Sequence, residues 1–150
     1  MNIRIYKCQA KSLKIKIKDI VIFSLNNLIE NKRILNNISI SVIIDNRVTK
    51  SQNAWGLCWW TDKNTNPRKF KIVLSDKTTK TAFITTLMHE MVHIKQYVNG
   101  DLKDFKSGAI KWKNQIFENE EKSPLEQQKL PWEKEAYELS DELYDIYSSM

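Results

Sequence analysis

From Thr81 to Ile94 the chain runs TAFITTLMHEMVHI, with no charged side chain outside His89-Glu90-Met91-Val92-His93. Ala82, Phe83, Leu87, Met91, Val92 and Ile94 recur at i+3 and i+4 intervals, which predicts a buried helix. Thr78 or Thr79 offers an N-cap, and Asn99-Gly100 is a stop signal. A glutamate buried in such a helix costs several kcal/mol, at order of magnitude, unless it is paired. Any fold this chain adopts must therefore give Glu90 a reason to be there. The only two histidines flank it at positions i and i+4, separated by roughly 40° of rotation and one turn of rise. Both imidazoles then face one space, close enough to share a metal ion. Glu90 stands one step on, within reach of a water in an open coordination position. That is the chemistry of HExxH, with zinc as the expected metal. The blander reading, a core histidine pair satisfied by its neighbours, leaves the buried glutamate unexplained.

A third ligand has to come from elsewhere. The chain has no other histidine, and Cys8 and Cys58 lie far upstream, so carboxylates are the candidates. Pro131-Trp132-Glu133-Lys134-Glu135-Ala136-Tyr137 opens a second predicted helix: Pro131 suits its first turn, and Trp132, Ala136, Leu139 and Leu143 form one apolar stripe. Glu133 and Glu135 fall on opposite flanks of that stripe, so helical geometry leaves both open. Both also suit the positive end of the helix dipole without binding anything.

His89-Glu90-Met91-Val92-His93 followed by Glu133-Lys134-Glu135-Ala136 resembles the gluzincin pattern, an HExxH helix with a ligand glutamate in an ExxA run on a later helix. The Pro131-Trp132-Glu133 run and the short chain are similar to compact SprT-like and minigluzincin metallopeptidases, many of them encoded by phages and microbes. The resemblance implies His89, His93 and Glu133 as zinc ligands and Glu90 as general base. It also implies a zincin-like α+β fold: a small, mostly antiparallel sheet on the active-site helix, an edge strand that pairs with extended peptide, and a second metal-bearing C-terminal helix. For that edge the candidates are the strands at 56–61 and 70–75. Two departures stand out. Many gluzincins carry Asp four residues after the ligand glutamate, where this chain has Tyr137, and SprT itself uses a third histidine. Tyr97 and Tyr137 are the visible hydroxyl donors for a developing oxyanion, Tyr97 lying a full turn beyond His93.

At 150 residues the chain suits one domain with a core that needs no disulfide. Cys8 and Cys58 read as reduced thiols. No apolar run approaches a membrane span, and Met1–Lys7 lacks the apolar core of a secretory signal, which points to a cytoplasmic protein. The net charge of +6 is uneven: residues 1–80 carry +11 and residues 81–150 carry −5. A basic half admits a nucleic-acid partner or a DNA-associated protease, and Trp55, Trp59 and Trp60 can stack on bases. The same residues also suit a solvated face, the core or a peptide cleft. Function classes therefore range from a peptidase acting on peptide or protein, through a nucleic-acid-binding protein, to a catalytically silent zinc scaffold.

The remaining elements are coarser. Lys14, Lys16 and Lys18 alternate with Leu13, Ile15 and Ile17 as in a strand with one wet face, and residues 19–32 read as a helix with Asp19 at its start. Strands are expected at 38–44, 56–61 and 70–75, with a turn at 62–67. Residues 100–130 read as a long, polar connection able to cover the cleft.

Overall fold

The computed structural model describes residues 1–48, 55–63 and 66–150, so the expected turn at 62–67 lies partly outside the described residues. A four-stranded sheet contains β1 (Asn2–Tyr6), β2 (Ser39–Ile44), β3 (Gly56–Trp60) and β4 (Lys69–Leu74). Its order is β1-β2-β4-β3. β1 pairs with β2 and β2 with β4 in parallel, and only β3 runs antiparallel, against β4. The architecture is α+β, as expected, but this sheet is mixed and not mostly antiparallel.

The reason lies in α1 (Lys11–Leu28), which begins well before Asp19 and supplies the long crossover that parallel pairing of β1 and β2 requires. Lys14, Lys16 and Lys18 are therefore helical. Their period-two alternation coexists with a period of 3.6 in Ile17, Ile20, Val21, Ser24 and Leu25, and this second set is buried. Burial decided the conflict: each large aliphatic side chain removed from water contributes about 1.5–3 kcal/mol. A short helix, α2 (Lys32–Asn36), follows, capped by the Asn31 side chain.

α3 (Lys80–Val98) carries the HExxH motif. Thr79 caps it, accepting from the Ala82 amide, and Asn99 closes it. Alternate residues of β2 and β4 (Ile40, Val42, Ile44, Phe70, Ile72, Leu74) share one core with the buried faces of α1 and α3.

Residues 100–130 are not an irregular connection. They form a three-stranded antiparallel sheet, β5 (Leu102–Asp104), β6 (Ile110–Trp112) and β7 (Gln115–Phe117), and a short helix α4 (Pro124–Gln128). Strands of three residues are too short to display alternation, which is why the sequence hides them. Leu102, Trp112 and Trp132 make a second small core beneath this sheet. α5 (Pro131–Ser148) then packs along α3, burying Trp132, Ala136, Ser140 and Leu143. No helix among the described residues is long and apolar enough to cross a membrane.

Candidate metal centre

A cleft of about 900 Å³ opens between β3, α3, the small sheet and the start of α5. At its floor α3 presents His89 and His93, and the first turn of α5 presents Glu133. The Nε2 atoms of the two histidines are 3.2 Å apart. Glu133 bridges them, with Oε2 3.1 Å from His89 Nε2 and Oε1 3.0 Å from His93 Nε2. Glu135 points elsewhere: its Oε1 accepts from Lys95 Nζ at 3.1 Å and from Gln96 Nε2 at 3.3 Å. Packing thus separates the two glutamates that helical geometry left open, in a turn whose Trp132 ring packs near those of Trp112 and Phe117.

The donor set could hold a metal ion: one ligand atom from each of His89, His93 and Glu133 lies within 4.8 Å of the others, although the two short contacts of Glu133 use different carboxylate oxygens. Two imidazole nitrogens and a carboxylate form a set used by catalytic zinc.

His93 and Glu133 shift each other's protonation in opposite directions. Burial by itself pushes His93 down, but Glu133 and Glu90, with a hydrogen bond to Gln96, hold its pKa at about 9. Burial likewise works to raise Glu133, and hydrogen bonds to both imidazoles overcome it, bringing the carboxyl to about 2.

Glu90 is only 7% exposed, and its carboxylate has no hydrogen bond to another described residue. Burial is the main cause of a raised pKa there; the histidines counter it in part. Gly56 of β3 lies alongside: a Cβ on it would sit 3.5 Å from Glu90 Oε1 and only 2.8 Å from Thr86 Cγ2. Of the two strands considered for peptide pairing, β4 is interior and β3 is the sheet edge beside the cleft.

Tyr97 is committed to Asp104 through a 2.9 Å hydrogen bond. Tyr137 packs its ring 4.5 Å from that of His89, is 43% exposed and lines the cleft. Burial, then the nearby carboxylates, raise its pKa, so it stays a neutral O–H donor. Where Asp would accept from a histidine, Tyr137 only covers the ring, and His89 Nδ1 is buried without a partner among the described residues.

One polar residue at the site was not singled out by motif or spacing. Gln96, fully buried, accepts from His93 Nδ1 at 2.8 Å and donates to the Trp132 carbonyl at 2.9 Å. Its only signal in the sequence is an uncharged amide at a helix position whose neighbours are buried.

The three tryptophans divide their roles. Trp55 lines the cleft, Trp60 packs on the core, and Trp59 lies on the outside with Lys71 Nζ 5.7 Å from its ring. Cys8 and Cys58 are both free thiols. Comparison with protein-family models, curated proteins and solved structures returns no match.

Proposed function

We propose that this chain is a zinc-dependent peptidase in which Glu90 acts as general base on a metal-activated water. The observation that carries the reading is the pairing of a donor set that could hold a metal ion with a buried carboxylate that has no hydrogen bond among the described residues. His89, His93 and Glu133 would hold the ion, which when bound polarises a scissile carbonyl and acidifies its water. Glu90, its pKa raised by burial, takes a proton from the attacking water and delivers it to the leaving amine. The edge of β3 offers backbone groups to an extended peptide beside the cleft, and this favours peptide over other hydrolysable substrates. Tyr137 is placed to donate its hydroxyl to the developing oxyanion.

The test is elemental analysis of the purified protein beside His93→Ala, followed by a peptide-library digest with Glu90→Gln as control. About one zinc per chain, absent from His93→Ala, is expected, together with cleavage that Glu90→Gln abolishes. Zinc without cleavage would leave a silent scaffold or a hydrolase of another substrate. A parent that takes up no zinc would refute the metal site.

A further inference from the structure

We propose that Gln96 is a positioning residue: it determines which nitrogen of His93 faces the metal centre and ties that ligand to the backbone carrying Glu133. The inference rests on the metal site proposed above and concerns how the chain builds it.

The argument begins with the direction of each hydrogen bond. Gln96 Nε2 lies 2.9 Å from the Trp132 carbonyl and 3.3 Å from a Glu135 carboxylate oxygen, and both of these partners can only accept. The amide is therefore oriented with its nitrogen towards α5 and its oxygen towards α3. Oε1, 2.8 Å from His93 Nδ1, can only accept, so Nδ1 must carry the proton. The other ring nitrogen, Nε2, 3.0 Å from Glu133 Oε1 and 3.2 Å from His89 Nε2, is then the one whose proton a metal ion would displace.

The same side chain also joins two helices. Trp132, whose carbonyl accepts from Gln96, immediately precedes Glu133. One buried amide thus sets the orientation of a ligand on α3 and the position of the first turn of α5, which carries another. Lys95 completes the arrangement, donating to the Glu135 oxygen that Gln96 also contacts. An apolar residue at 96 would fill the same space, so packing alone does not call for an amide.

The test compares three proteins: the parent, Gln96→Met, and Gln96→Glu combined with Glu135→Gln. Methionine removes all three hydrogen bonds at similar volume. The double variant keeps an acceptor for His93 and reverses the hydrogen bond between positions 96 and 135, but leaves the Trp132 carbonyl without its donor, so it tests the proton on His93 apart from the tie to α5. Zinc affinity is read by competition with a chromophoric chelator, and the His93 Nδ1–H proton by its slow exchange in imidazole ¹⁵N spectra, with and without zinc.

Gln96→Met is expected to bind zinc 10–100-fold more weakly, about the loss seen when a ligand's hydrogen-bond partner is removed. It should also lose the protected Nδ1–H signal. The double variant is expected to recover the signal and only part of the affinity, since the bond to the Trp132 carbonyl is gone. Unchanged affinity in Gln96→Met, no protected Nδ1–H in the parent, or a double variant without the protected Nδ1–H would each overturn the proposal. If Gln96→Met does not fold, the parent resonance and the double variant still decide it. A parent that binds zinc but cleaves no peptide would defeat the peptidase reading and leave this one standing. A parent that binds no zinc would defeat the site, with the Nδ1–H proton still reporting on Gln96.

Discussion

Glu133 and Glu135 are two residues apart, of the same type and on the same helical turn, yet their environments are opposite. Glu133 bridges two imidazoles, while Glu135 is held by Lys95 and Gln96. Glu133→Ala should therefore lower zinc affinity by more than the roughly 100-fold that marks loss of a ligand's hydrogen-bond partner. Glu135→Ala should largely retain it. Equilibrium metal titration separates the two, and the reverse order would remove Glu133 from the ligand set. Gly56 makes a second prediction at this scale. A methyl there would approach Thr86 Cγ2 to 2.8 Å and Leu74 Cδ2 to 2.9 Å, closer than carbon atoms tolerate. Gly56→Ala should cost about 1–3 kcal/mol, measurable as a lowered urea midpoint. Tyr137→Phe keeps the ring on His89 and removes the hydroxyl; a 10²–10³-fold drop in kcat with unchanged zinc affinity is the result expected of an oxyanion donor.

Among the elements, α5 shows how a ligand is delivered. Its N-cap, Leu130, makes no side-chain cap, and Pro131 starts the helix. What holds this end is Trp132, packed edge-on to Phe117 at 5.0 Å and near Trp112 at 6.3 Å. The small sheet thus acts as a footing for the first turn of α5. Trp132→Ala should destabilise the protein by about 3–5 kcal/mol and weaken zinc binding, although the residue touches no metal donor. Denaturant unfolding of the metal-free and zinc-loaded forms checks both effects. A variant that loses stability but binds zinc as the parent does would show that α5 holds its position without that footing.

For the whole molecule, the candidate metal centre links folding to pH. The folded pKa of His93 is raised from 6.5 to about 9, so its contribution to stability is complete below 6.5 and is lost as pH rises through 9. That of Glu133 is lowered from 4.5 to about 2, so its contribution is present above 4.5 and is lost as pH falls through 2. In the absence of metal the centre should support the fold best between these limits, from 4.5 to 6.5. Zinc instead requires His93 Nε2 without a proton, so the stabilisation it adds should grow as pH rises. Thermal unfolding with and without a chelator, from pH 5 to 9, tests this. A zinc increment that is flat over that range would contradict the coupling.

The sequence by itself determined the motif helix, a threonine cap at 78 or 79 that the structure places at Thr79, the Asn99-Gly100 stop, and the shared face of His89 and His93, because each depends on neighbours within a turn or two. It also marked the cores of β2, β3 and β4, whose apolar runs are local signals. Tertiary structure decided the rest. The choice of Glu133 over Glu135, the anchoring of His93 by Gln96, the edge position of β3 and the folding of residues 102–117 into a sheet all depend on contacts between segments distant in the chain. Lys14, Lys16 and Lys18 mark the boundary between the two kinds of information. Their pattern fits a strand as well as a helix, and only the burial of Ile17, Ile20 and Leu25 against the sheet selects the helix. Periodicity reports which residues of an element share a face; what that face meets is settled only when the elements pack.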